Sequence, residues 1–231
     1  MVISPSRTLT ITGGITRASN SGPPIFPQNL SFISGGTLDL AGGVRPFQVD
    51  NDNPIGLPTT LTISSAIANG GITKTGAGLL ALSGANVYTG NTTVSGGVLT
   101  LSSPGELLFD VENAGASNRI LGAATAMFDG TFKIDVATLS DSMGSWNLVD
   151  VATLSESFSS SFGLMFVGGP SFTNSGGGVY SSGRWSFSTA NGNLTLGVPE
   201  PASAALGLLG LVAVGTCRRR SATAPISASA G

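Results

Sequence analysis

The sequence predicts an all-β fold in which short coils stack into a solenoid, and three features carry that prediction. Apolar-x-apolar units recur at Leu9/Ile11, Leu30/Phe32, Leu38/Leu40, Leu61/Ile63, Leu80/Leu82 and Leu99/Leu101. Alternation with period two puts both members of each pair on one face of a strand. Glycine doublets at Gly13-Gly14, Gly35-Gly36, Gly42-Gly43, Gly70-Gly71 and Gly96-Gly97 punctuate the intervals, as turns require. From Leu61 to Leu80 and from Leu80 to Leu99 the step is 19 residues each time. A step of about 20 residues is what stacked coils produce, since no single coil can bury its own apolar side chains. Evenly spaced strands would also suit a β-sandwich, although sandwiches favour longer strands and less glycine. The stacked arrangement places Leu61, Leu80 and Leu99 above one another with their side chains inside.

Composition supports strands and narrows the function. Of 231 residues 34 are glycine and only 10% are charged, with Ser, Thr and Asn supplying much of the polar surface. A helical protein would use Glu, Lys and Ala there. A hydrophobic content of 41% gives the chain enough apolar surface to fold. The net charge of −2, with Lys and Arg scattered singly before the last residues, gives no footprint for nucleic acid. Cys217 is the only cysteine, so no disulfide or cysteine metal cluster forms within one chain. Met1 to Arg7 run directly into a strand-like segment without a basic or apolar leader. On this reading the natural chain is expected to begin further upstream.

In chain order, residues 1–60 read as N-terminal solenoid coils and 61–103 as the most regular repeat. Beyond Pro104-Gly105 the period is lost, and 104–198 reads as an irregular β region with alternation in Phe132-x-Ile134-x-Val136 and an apolar run from Leu164 to Val167. Its end carries the strongest local signal, Asn191-Gly192 between two alternating segments. A two-residue type I′ turn there would set Ala190 opposite Asn193, Phe187 opposite Leu196 and Trp185 opposite Val198. The resulting hairpin has one apolar face and could cap an exposed solenoid end.

Within 70–101 stand Lys74, Gly76, Gly78, Leu80, Leu82, Ser83-Gly84-Ala85-Asn86, Tyr88-Thr89-Gly90, Thr92-Thr93-Val94 and Gly96-Gly97. Together these residues resemble the autotransporter-associated β-strand repeat. The resemblance implies a right-handed parallel β-helix. It makes Lys74 an outward repeat-position residue, Tyr88 a packed or stacking aromatic, and Leu79 and Ala81 outward neighbours of the inward Leu80 and Leu82.

The C-terminus has three parts: Val198-Pro199-Glu200-Pro201, an uncharged stretch over 202–217, and Arg218-Arg219-Arg220. Sixteen helical residues reach roughly 24 Å against a hydrocarbon core of about 30 Å, so the expected short transmembrane helix spans only with bilayer thinning or arginine snorkelling. By length alone it would suit a buried core helix. Three arginines at its end would be stranded in a core but suit the cytoplasmic face. This order resembles the PEP-CTERM sorting signal, which implies an exosortase-type sorting enzyme as partner. Pro199, Glu200 and Pro201 would be recognised by it, and Arg218, Arg219 and Arg220 would set membrane orientation. On this reading 199–220 form the sorting signal and membrane helix, and 221–231 a disordered tail. The resemblance also implies export, with at least transient membrane anchoring before the protein reaches the cell surface or extracellular matrix.

Chemistry is sparse. Without histidine there is no Ser-His-Asp or Cys-His nucleophile system, and the commonest metal ligand is missing. Asp50 to Pro54 lack the glycine and terminal glutamate of a calcium loop and read as a solvated turn, and Asp110 with Glu112 as a loop face. No cofactor, metal or catalytic residue is therefore assigned. Two function classes stay open: a structural or adhesive surface component that meets extracellular polysaccharide, and a carbohydrate-active β-helix enzyme or polysaccharide-binding module working through carboxylates such as Asp50 and Asp52. The scarcity of titratable groups favours the first.

Overall fold

The computed structural model describes residues 1–18, 30–51, 58–140 and 142–197. Most of its strands are short and parallel, wound so that each coil visits three faces in the same order. The first face begins with Thr8–Thr10, Thr37–Asp39 and Ala66–Ala68, and continues through Ala85–Asn86, Glu106–Asp110, Thr131–Asp135 and Gly163–Phe166. The second comprises Ile15–Arg17, Val44–Val49, Gly71–Thr75, Thr92–Val94, Ile120–Gly122 and Val149–Val151. The third comprises Leu30–Ile33, Thr60–Ile63, Leu79–Leu82, Val98–Leu101 and Thr125–Phe128. Such parallel stacking makes a β-helix-like solenoid with one continuous interior.

The register follows the repeat. Leu61 pairs with Leu80, Leu80 with Leu99, and Leu99 with Ala126. Leu61, Leu80 and Leu99 are all buried, as are Ile63, Leu82, Leu101 and Phe128 one rung along. Every inward position therefore meets an inward position of the next coil, and burying a leucine in this way contributes about 2 kcal/mol. One apolar pair breaks the pattern: Leu30 and Phe32 face outward, because Ile33 pairs with Ile63 and takes the interior. A slip of one residue exchanges the faces of a strand, and the neighbouring coil sets the choice.

The coils do not stop where the 19-residue step is lost. Phe109 pairs with Ile134 and Ile134 with Phe166, all in parallel register, while loops of unequal length leave the corners between them. The coils end against a five-stranded antiparallel sheet. Its order is Gly144–Asn147, Asn193–Leu196, Trp185–Ser188, Val179–Ser182 and Thr173–Gly176. The expected hairpin is thus two strands of a larger cap, and its register differs by two residues. Phe187 pairs with Leu194 and Trp185 with Leu196. Gly192 alone of the central pair has positive φ, and its N–H donates to the Ser188 carbonyl at 2.9 Å. A type I′ turn needs positive φ at both residues. Shifting by two keeps the faces, so the apolar side still points inward.

Aromatic side chains fill the joint between coils and cap. Phe132 lies with its ring centroid 4.7 Å from that of Phe109, 5.1 Å from Phe128 and 4.9 Å from Phe162. Phe187 from the cap joins them, 5.6 Å from Phe158. The expected membrane span over 202–217 lies outside the described residues, among which no helix is long and apolar enough to cross a membrane.

Candidate functional site in the repeat coil

The repeat residues converge on the corners of one coil, where the chain must turn without losing its interior. Lys74 occupies an inward rung between Phe47 and Val94 and is fully buried. The expectation that it projects outward is therefore wrong: its stem runs through the core and only its ammonium reaches the corner. There Nζ donates to the carbonyls of Thr75 at 2.7 Å, Gly76 at 2.8 Å and Gly96 at 3.1 Å. All three protons are satisfied, and two successive coils are tied at one point. Burial lowers the Lys74 pKa to about 8, with Asp50 on the preceding coil opposing the shift.

Asn86 serves another corner. Its Oδ1 accepts from the Ile67 N–H at 3.3 Å, while Nδ2 donates to the Gly84 and Glu106 carbonyls at 2.9 Å each. One buried amide thereby links three consecutive coils, since Ile67 precedes it and Glu106 follows. Tyr88 is fully buried and exchanges a hydrogen bond of 2.7 Å with the Thr92 hydroxyl. Burial raises its pKa well above the usual phenol value, against the weaker opposing effect of Thr92.

The glycines mark places where backbone passes backbone. A Cβ on Gly76 would lie 2.4 Å from the Val49 carbonyl oxygen, on Gly78 2.7 Å from that of Thr59, and on Gly90 2.5 Å from that of Gly70. Gly96 is less confined, its nearest neighbour being the Gly76 oxygen at 3.3 Å. Gly97 has φ +63°, and a Cβ there would meet the Gly78 oxygen at 2.3 Å. Leu80 and Leu82 complete the set as inward rungs.

Lys74 and Asn86 hold coil to coil, and the carboxylates of Glu106 and Asp50 are engaged separately. Glu106 pairs with Lys133 at 3.1 Å, and Asp50 accepts from Gln48 at 2.9 and 3.0 Å. Asp52 lies outside the described residues, among which no cluster of three potential metal ligands occurs. Asp110 and Glu112 line a shallow groove with Thr89, Asn91 and Asn118.

Residues 72–101 match the family model of the passenger-associated transport repeat. Residues 197–221 match the PEP-CTERM protein-sorting motif. The chain carries a passenger-associated transport repeat and a PEP-CTERM sorting motif. It is also 32% identical over 105 residues to the adhesin BmaC autotransporter of Brucella suis biovar 1 (strain 1330). That similarity covers 42% of this chain but only 3% of the relative's length. No solved structure matches the chain.

The segment matched by the repeat model contains Lys74, Asn86 and Tyr88. Pro199, Glu200, Pro201 and Arg218, Arg219, Arg220 fall within the matched sorting motif, outside the described residues. Sequence reasoning missed other corner and cap residues. Arg45 resembles Lys74 in action, donating to the Leu40 and Thr12 carbonyls at 2.8 and 2.7 Å. Arg184 donates to the Gly197 carbonyl at 2.9 Å, where the cap ends. Neither arginine stands in a repeated pattern, so no sequence signal distinguished it from a solvated surface residue.

Proposed function

We propose that this chain is an exported, non-catalytic surface protein: a right-handed β-helical body delivered by a C-terminal sorting signal and used as a structural or adhesive component of the cell surface or extracellular matrix. The observation that carries the proposal is the PEP-CTERM motif over 197–221, which begins where the folded cap ends. An exosortase-type enzyme recognises Pro199, Glu200 and Pro201, the apolar stretch over 202–217 forms a short membrane helix, and Arg218, Arg219 and Arg220 stay on the cytoplasmic side. The passenger-associated repeat and the partial similarity to an adhesin support an adhesive role. The shallow groove lined by Thr89, Asn91, Asp110 and Asn118 offers hydroxyl, amide and carboxylate groups to an extracellular polysaccharide. A binding role suits this body better than catalysis, because the titratable side chains of the repeat coil are engaged in structure.

Glu200 lies in the sorting motif, beyond the solenoid and its cap. Glu200→Ala in an intact host is therefore expected to leave the body folded while unprocessed protein accumulates in the membrane fraction. Cell fractionation checks this, and wild-type distribution of the variant contradicts the proposal.

A further inference from the structure

The end of the cap carries an apolar rim where the chain departs towards the sorting segment. Phe166, Pro170, Trp185 and Val136 surround a shallow pocket beside Arg184. The rings of Phe166 and Trp185 lie 5.6 Å apart, and Met143, which follows the Ser142 whose carbonyl accepts from Arg184, is 55% exposed. Arg184 fastens this edge, since its guanidinium donates to the carbonyls of Gly197 and Ser142. From Gly197 only Val198-Pro199-Glu200-Pro201 precede the apolar stretch over 202–217, a reach of at most about 14 Å when fully extended. The headgroup layer on each side of a bilayer takes up about 6 Å of that reach. When the apolar stretch is inserted, this reach is the most that separates Gly197 from the hydrocarbon.

We propose that the rim formed by Met143, Phe166, Pro170, Arg184 and Trp185 is a membrane-interface docking surface that seats the body against the bilayer before the sorting segment is cut. The inference rests on the membrane reading of the C-terminal tail. It goes beyond that reading by assigning a lipid contact to the folded body itself. The chemistry suits headgroups and upper acyl chains: tryptophan has an apolar body with a polar N–H, Met143 and Pro170 are apolar, and Arg184 presents a cation to lipid phosphate. Phe32, on the first coil, is also exposed and serves as the control position outside the rim.

The test uses the full chain reconstituted into phosphatidylcholine–phosphatidylglycerol vesicles whose phosphatidylcholine acyl chains are brominated. Tryptophan emission is compared with that in unbrominated vesicles. Trp146 is fully buried and serves as an internal reference. The expected result is a brominated-lipid quenching component that disappears in Trp185→Phe, weakens in Met143→Asp and is unchanged in Phe32→Asp. Resistance of the protein to alkaline carbonate extraction reports tail insertion separately. Carbonate-resistant protein without a Trp185 quenching component overturns the docking proposal and leaves the tail reading intact. Extractable protein overturns the tail reading and the docking proposal with it.

Discussion

Leu79 and Leu80 are adjacent, yet one lies between Thr60 and Val98 on the outer face and the other between Leu61 and Leu99 inside. Leu80→Asp puts an unpaired carboxylate into the core and should cost more than about 4 kcal/mol, enough to unfold the body. Leu79→Thr matches its outer neighbours and should cost less than about 0.5 kcal/mol. Chemical denaturation of the two variants distinguishes the faces directly. Lys74 adds a pH signature. Its pKa is lowered from 10.5 to about 8, so the folded chain gives up that proton before the unfolded chain does. Between those values the unfolded state binds more protons, and the Lys74 contribution to stability rises with pH by at most about 3 kcal/mol. Below pH 8 the penalty of the buried charge is constant. The difference between wild type and Lys74→Met, followed by denaturation across this range, should therefore climb from about pH 8 to 10.5; a flat difference contradicts the buried ammonium. The inward leucines were legible because period-two alternation and the 19-residue step agree. Lys74 was not, because a lysine beside glycines ordinarily marks a solvated turn, and only the stacked coils supply three carbonyls within its reach.

The hairpin at Asn191-Gly192 shows how far a strand pair can be read from its turn. The pairing and its apolar face were evident in the alternation around Asn-Gly, whereas the register depended on what lies beneath the turn. The Gly192 carbonyl accepts from the N–H groups of Leu148 at 2.9 Å and Val149 at 3.3 Å, which fixes the turn on the last coil. This long-range contact leaves no mark in the local sequence. A Cβ at Gly192 would stand 2.0 Å from the Val149 oxygen, whereas Gly183, also at positive φ, has open space around it. Gly192→Ala should therefore cost more than about 3 kcal/mol and loosen the cap, while Gly183→Ala costs only the left-handed conformation, about 1 kcal/mol. Limited proteolysis of the cap, beside denaturation of both variants, checks this contrast. The extent of the cap was hidden for a related reason. Thr173–Gly176 is exposed throughout and polar, so nothing in its composition marks it as an outer antiparallel strand.

Across the whole molecule, the solenoid was legible from three equivalent leucines and a glycine rhythm, while the continuation past Pro104 was not. Coils after that point keep parallel register at their strands but vary their loops, and a fixed period needs loops of constant length. The proposed sorting role turns on the C-terminus. On the proposed reading, a 16-residue span would be short for a permanent anchor, whereas a temporary one need only hold Pro199-Glu200-Pro201 at the membrane surface until it is recognised. Other C-terminal signals likewise lose a hydrophobic tail after recognition. The most direct test is mass spectrometry of the C-terminus of mature protein recovered from an intact host. The sorting account predicts a terminus at or near Val198 to Pro201, with residues 202–220 absent. Mature protein that still carries Ala202 to Arg220 would contradict it and make the tail a lasting membrane anchor.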